Sequence, residues 1–485
     1  MRSAGILLHI SSLPSVYGIG TLGKEAYAFA DFLHAAGQKY WQLLPIGPTG
    51  YGDSPYQNVS TCGGNPYFID PELLMEEGLL SPEELKAIPN RERVDYGELY
   101  ATRYPLFRKA FSRDRDFDPT AFVRENPWAE DYALFMAIKM HHNMLPWDRW
   151  PQPLRLRDPV AMEQCKEEYV EDFAFYLFLQ SQFDKQWKAL RAYAHSLGIE
   201  LIGDLPIYVP YDSCDVWAAP HLFQLNDEGI PTAVAGCPPD AFSAEGQLWG
   251  NPLYRWDRMA EDDFLWWRNR LSEMGKRFDV VRLDHFRGLE SYWAVPYGDR
   301  NAKGGKWIKG PGSAFLRSLQ THLPHLRLIA EDLGYLTPEV LSLREASGYP
   351  GMKILEFAFD PREPGNYLPH TYDRNSVCYS GTHDNETLLQ WRSCVGEEGL
   401  CHAMAYLGLE SRERLHWALL RLGMASVSDT FIVQMQDYLE LGEEARMNTP
   451  GSLSPMNWSW RMERDALGPQ LSQKIRTLTQ LYERL

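Results

Sequence analysis

The sequence predicts an α/β fold: a closed (β/α)8 barrel with subdomains inserted between its strands and no separate C-terminal sandwich domain. Eight apolar runs of strand length are spaced along the 485 residues, stretches of helical periodicity separate most of them, and several runs end in an acidic residue. Near-continuous apolar strands alternating with helices imply a parallel sheet covered by helices. An open, doubly wound sheet would show a glycine-rich phosphate turn after an early strand. The loop that follows the first run, SSLPSVYGIG, has no convincing GxGxxG.

The first run is GILLHI (5–10), and a helical segment over 23–36, stopped by Gly37, leads to the second, YWQLLPI (40–46). About 150 residues then intervene, room for a mainly helical insertion over about 66–165, in which PWAEDYALFMAIKMHH reads as an amphipathic helix with Pro at its start. A helix over 169–197, ended by Gly198, precedes the third run, IELIGDL (199–205). The stretch 206–258 is rich in Pro, Gly, Trp and Asp and weak in periodicity, as expected of a long loop subdomain at the functional face. A helix over 260–276 leads to FDVVRLD (278–284), and LRLIAED (326–332), MKILEFAF (352–359) and SVCYSGT (376–382) follow. A helix over 403–423 precedes TFIVQMQ (430–436), and a helical tail over 467–483 closes the chain. Residues 1–485 are thus read as one barrel carrying two insertions.

Composition narrows the function. A net charge of -17 disfavours polyanions, since a nucleic-acid backbone needs a basic stripe and the Arg-rich stretches here are interspersed with acid. Seven widely scattered Cys without a CxxC pair suggest neither a disulfide framework nor a thiolate metal site, and fit a reducing cytoplasm. The apolar stretch at the N-terminus is too short for a signal peptide, and no stretch approaches membrane-spanning length. Sixteen Trp and 26 Tyr exceed what a core needs and lean towards sugar rings, whose apolar faces stack on aromatics.

Three strings, VRLDHFRG (281–288), LIAEDLG (328–334) and YSGTHDN (379–385), end apolar runs in Asp284, Glu331 and Asp384. One acid at a strand end is more often a cap or a solvated group; three at the carboxyl ends of the fourth, fifth and seventh runs occupy the face where barrel enzymes place their chemistry. Arg282 points to the same side of its strand as Asp284, so its guanidinium is expected to hold that carboxylate ionised, as a nucleophile requires. Glu331 follows the apolar LIA, where desolvation favours the protonated form of a general acid, while Asp332 should face the opposite way. Asp384, beside His383 and Asn385, suits a grip on sugar hydroxyls. The neighbouring His residues are not arranged as HExxH or a facial triad, and no GxSxG elbow occurs.

These strings resemble the catalytic strand ends of the amylomaltases, the 4-alpha-glucanotransferases of glycoside hydrolase family 77 in the alpha-amylase clan. GILLHISSLPSVYGIG (5–20), GYGDSPYQ (50–57), GDLPIYV (203–209), PPDAFSAEGQLWGNPLYRW (238–256) and RMNTPGSLSPMNWSWR (446–461) extend the resemblance over nearly the whole chain, in the family's order. The resemblance implies Asp284 as nucleophile, Glu331 as general acid/base and Asp384 as the third carboxylate, which stabilises the distorted glucosyl ring. It implies Arg282, His383 and His285 as supporting residues at the cleaved bond, Tyr56 and Asp204 in the same pocket, and a loop over the cleft at 236–252, with Trp249 as an aromatic contact. Where many members carry an aromatic in that loop, this chain has Ala241, which bears on acceptor or long-chain contacts and not on cleavage. Alpha-1,4-glucans, maltooligosaccharides and glucose are the implied donors and acceptors, with neither nucleic acid nor membrane as partner. No cofactor or metal is expected, since the double displacement needs none and no calcium-loop spacing occurs. A retaining alpha-glucan hydrolase using the same residues is the near alternative, and a non-catalytic glucan-binding protein the distant one.

Overall fold

The structure, a computed structural model, describes residues 2–50, 52–88, 92–239, 243–361 and 367–485. Ala241 lies outside the described residues. In chain order the strands are β1 (Ser3–Leu7), β2 (Tyr40–Gln42), β3 (Glu200–Leu205), β4 (Ala233–Cys237), β5 (Gln247–Pro252), β6 (Val280–Leu283), β7 (Ser291–Pro296), β8 (Lys306–Lys309), β9 (Arg327–Ala330), β10 (Gly351–Ile354), β11 (Ser376–Tyr379) and β12 (Thr430–Gln434). Eight of them close a parallel barrel in the order β1-β12-β11-β10-β9-β6-β3-β2. This is the (β/α)8 barrel that the alternation of apolar runs and helices predicts.

Each barrel strand is shorter than its apolar run. The residues just past the ladder, His9, Ile10, Leu43 and Leu44 among them, are buried in loops at the carboxyl face, so they carry a strand's composition without its pairing. Close packing also shapes the sequence here: a Cβ on Gly5 would lie 2.6 Å from the Tyr40 carbonyl oxygen, so β1 approaches β2 only with glycine at that place.

Helices Lys24–Ala35, Val170–Ser196, Leu265–Arg277, Gly312–His322, Pro338–Ser347 and Leu415–Ala425 precede barrel strands. Between β2 and β3 lie, among others, the helices Tyr96–Arg113, Trp128–His141 and Pro159–Glu168. Trp128–His141 is not amphipathic as its sequence predicts. Tyr132 through Lys139 are all buried, because the helix is packed against Val170–Ser196 on one side and Cys214–Ala218 on another. The helix predicted over 403–423 is two, Gly396–Leu407 and Leu415–Ala425, since Gly408 takes a left-handed φ of 63° and ends the first.

Sequence periodicity also missed a four-stranded antiparallel sheet, ordered β5-β4-β7-β8, which arises from the loops after β3 and β6. Its outer strand β8, KWIK, is exposed at all four positions and shows no alternation to read. Among the described residues no helix is long and apolar enough to cross a membrane.

Candidate active site

Two neighbouring barrel strands deliver the central carboxylates. Leu283 of β6 pairs in register with Ala330 of β9, so the residues that follow, Asp284 and Glu331, leave adjacent strands side by side. The ladder continues into both: Asp284 N donates to the Leu205 carbonyl at 3.0 Å and Glu331 N to the Leu283 carbonyl at 3.1 Å. His285 then turns the chain with a φ of 52°, a conformation uncommon for a non-glycine residue and frequent at functional sites. Its amide donates to Glu331 Oε2 at 2.7 Å, and the Leu333 amide donates to Oε1 at 2.9 Å. With Glu331 bonded to the amide next to Asp284, standard bond lengths hold the two carboxyl carbons within roughly 8 Å. The spacing of about 5–5.5 Å used by retaining glycosidases lies inside that bound. Asp332 turns the other way, where it accepts the Met352 amide at 2.7 Å and faces Arg344.

A chain of polar contacts extends from Asp284 around one side of the pocket. Arg282 Nη1 lies 3.0 Å from Asp284 Oδ1 and donates to both oxygens of the buried Asp204 at 2.8 Å. The pairing exists because Asp204 and Arg282 are register partners on β3 and β6. Tyr56 donates its hydroxyl to Asp204 Oδ2 at 2.6 Å and stands 3.3 Å from His383 Nδ1. The Tyr56 and His383 rings stack with centroids 4.8 Å apart, and Trp458 lies 5.8 Å from each. His383 Nε2 is 3.4 Å from Asp384 Oδ1, which accepts the Asn448 amide at 2.6 Å. On the other side Trp249 stands edge-on to the His285 ring, with centroids 4.9 Å apart.

All nine residues singled out in the sequence thus lie in one continuous constellation. Asp384 lies five residues beyond Tyr379, the last residue of β11, in a loop and not at the strand end itself. Sequence reasoning missed Asn448 and Arg446; the Arg446 guanidinium donates to the Asp384 carbonyl at 2.8 Å and to Glu386 at 3.0 Å. Both residues stand in RMNTPGSLSPMNWSWR, a string that matches the family but offers no spacing by which to single them out.

Burial dominates the electrostatics. It raises the Asp284 carboxyl above the usual range, with Asp204, Glu331 and Asp384 adding to the effect and Arg282 opposing it. The expectation that Arg282 simply keeps Asp284 ionised is therefore incomplete, because that guanidinium is shared with Asp204. Burial also raises Glu331, against Arg282 and the two amide hydrogen bonds. It pushes His285 down to about 3, with help from Arg287, and lowers His383, so both rings are neutral at pH 7. Arg282 stays charged despite its burial because Asp204 and then Asp284 hold its proton. Among the described residues no three His, Cys, Asp or Glu side chains are grouped to hold a metal ion.

Comparison with known proteins identifies the family. The profile of a family described as 4-alpha-glucanotransferase, glycoside hydrolase 77, matches residues 8–466. A 4-alpha-glucanotransferase of Clostridium butyricum is 46% identical over 98% of this chain and 100% of its own length. One of Thermus thermophilus is 46% identical over 100% and 99% of the two chains. An amylomaltase of Streptococcus agalactiae, solved in complex with acarbose, superposes with a TM-score of 0.97 at 38% identity, each chain fully covered.

Proposed function

This chain belongs to the 4-alpha-glucanotransferases of glycoside hydrolase family 77, and from that premise we propose how its own residues carry the transfer of an alpha-1,4-glucan segment from donor to acceptor. The observation that carries the assignment is the pairing of Asp284 and Glu331 at register-matched ends of β6 and β9, joined through the His285 amide. Burial raises both of these neighbouring carboxyls and so favours protonation within the pair. In this reading Arg282, 3.0 Å from Asp284, favours the anion there and the proton on Glu331.

Asp284 then attacks the anomeric carbon while Glu331 protonates the departing glycosidic oxygen, so that the donor's reducing-end fragment leaves and a covalent glycosyl enzyme remains. In the second half Glu331 takes the proton from the 4-hydroxyl of an incoming glucan, whose oxygen displaces Asp284 and restores the alpha linkage. Asp384, held by Asn448 and flanked by His383, faces the hydroxyls of the distorted ring, and the Tyr56–His383–Trp458 wall offers that ring an aromatic face. In this reading Trp249 and His285, in edge-on contact with each other, serve the side of the leaving group and the acceptor. Water and sugar hydroxyls are chemically alike as nucleophiles, so transfer prevails over hydrolysis only because the cleft holds a sugar in register.

Residues 1–485 act in this reading as one catalytic barrel, with about 66–165 and 206–258 as insertions, supported by the pairing of β1 with β12 from opposite ends of the chain. Its seven scattered cysteines favour the reducing cytoplasm as its place of action. Incubation of the protein with maltotriose tests the whole reading. Glucose together with oligomers longer than maltotriose is the expected product ladder, and a ladder of shorter sugars only would overturn transfer in favour of hydrolysis.

A further inference from the structure

Two aromatic side chains that the reaction as derived does not use stand against Arg287, on the segment that follows Asp284. Trp307 of β8 is 38% exposed and Tyr335 is 68% exposed. Both rings flank one guanidinium: Arg287 lies 3.7 Å from the Trp307 ring centroid and 6.0 Å from that of Tyr335, and is itself 4% exposed. Arg287 gives a hydrogen bond to Ser291 Oγ at 3.1 Å, whereas its Nε and Nη1 have no hydrogen-bond partner among the described residues, and the indole face meets this buried cation. Trp307 is further fixed from the side, since it is the register partner of Trp293 and the two rings meet edge to face at 5.1 Å.

Scattered exposed aromatics are ordinary, but these two meet one buried guanidinium where the chain leaves the chemistry. Arg287 stands three residues beyond Asp284, and Tyr335 four beyond Glu331. The Leu333 amide is tied to Glu331 and Gly334 turns with a φ of 78°, so Tyr335 is carried outward from the acid within the reach of four residues, at most about 14 Å. In the transferase reading above, Tyr56, His383 and Asp384 bound the glucosyl ring that joins the nucleophile, on the other side.

We propose that Trp307 and Tyr335, braced on Arg287, form a stacking platform for the glucan chain a few glucosyl units beyond the scissile bond, on the leaving-group and acceptor side. The proposal rests on the transferase reading above. It gives the enzyme a preference for long acceptors through the apolar faces of sugar rings, with no charge on the ligand required.

The test measures transfer with a maltotriose donor at varied maltoheptaose or glucose as acceptor, in Tyr335→Ala, Trp307→Ala and the double variant. The KM for maltoheptaose is expected to rise about five- to tenfold relative to that for glucose, and Tyr335→Phe is expected to restore it, because stacking needs the ring and not the hydroxyl. An unchanged ratio of the two KM values in folded Tyr335→Ala and Trp307→Ala would overturn the platform. Should Trp307→Ala fail to fold, the exposed Tyr335 decides alone. Absence of transfer in the unmodified enzyme would instead sink the transferase reading, which keeps the two failures distinct.

Discussion

Asp284 and Glu331 occupy equivalent positions on neighbouring strands, yet their partners differ, and the difference in role follows from those partners. Asp284 meets a guanidinium; Glu331 meets two backbone amides and, among the described residues, no side-chain cation within bonding distance. A carboxylate beside Arg is stabilised as an anion in every step that needs it to attack, while a buried carboxyl without a cation gives and takes a proton readily. The two roles separate with two donors of different leaving ability. Glu331→Gln is expected to slow transfer from maltotriose by about 10²–10⁴-fold but to slow transfer from alpha-maltosyl fluoride far less, since fluoride departs without protonation. Asp284→Asn is expected to lose transfer from both donors by at least roughly 10³-fold. Steady-state rates of product formation check both, and equal slowing of the two donors in Glu331→Gln would remove it as the acid. These residues were legible in the sequence because each is the first residue past its strand. Asn448 was not, because its contact with Asp384 spans 64 residues and depends on a loop conformation.

The element that carries the third carboxylate is a loop clamped from below. Asp437 accepts the Ser380 hydroxyl at 2.6 Å and the Leu388 amide at 2.7 Å, so a single carboxylate ties both ends of the segment that presents His383 and Asp384. Beneath the same loop lies Glu356, 2% exposed, with neither oxygen hydrogen-bonded among the described residues; a Cβ on Gly381 would come within 2.7 Å of it. Burial, then Asp437 and Glu386, raise the Glu356 carboxyl well above its usual range. The native fold therefore favours the protonated form of Glu356 to higher pH than the unfolded chain, which ionises it above about pH 4.3. Stability from this residue is full below that pH and falls as pH rises towards the native pKa, by at most about 1.4 kcal/mol per pH unit. Glu356→Gln removes the dependence, so its urea midpoint is expected to match the unmodified protein near pH 4 and to exceed it increasingly by pH 8. A constant gap across that range would contradict a buried neutral acid. None of this was readable from SVCYSGTHDN, where the apolar run merges into a buried loop. The sheet of β4, β5, β7 and β8 was likewise invisible, because apolar strength marks central strands and the exposed KWIK is an edge.

At the scale of the whole molecule the barrel closes where the first strand meets the last, Ser3 through Leu7 pairing with Thr430 through Gln434. Strand pairing between distant parts of the chain carries a closure cost in conformational entropy, and here a side chain near the C-terminus secures it. Arg484 is fully buried and donates to the carbonyls of Met424 at 2.8 Å, Ser426 at 2.9 Å, Ser3 at 3.0 Å and Ser428 at 3.0 Å. Arg2 donates to the carbonyls of Met424 at 2.7 Å and Ser426 at 2.6 Å. Helix Leu415–Ala425 ends at these carbonyls, which have no partner within the helix and carry its negative end, so two guanidiniums complete the hydrogen bonding and favour the dipole. Burial, and Arg2 after it, lower the Arg484 pKa to about 10, which leaves it charged at any physiological pH. Arg484→Ala leaves several buried carbonyls without that donor and is expected to lower the unfolding free energy by about 3 kcal/mol, read as a drop in the guanidinium chloride midpoint at constant slope. Arg484→Lys is expected to recover less than half of the loss, because one ammonium cannot span carbonyls that a planar fork reaches together. Hydrogen exchange locates the effect: protection is expected to fall first at the amides that β1 shares with β12, and loss of protection elsewhere with that seam intact would mean the C-terminal arginine does not secure closure.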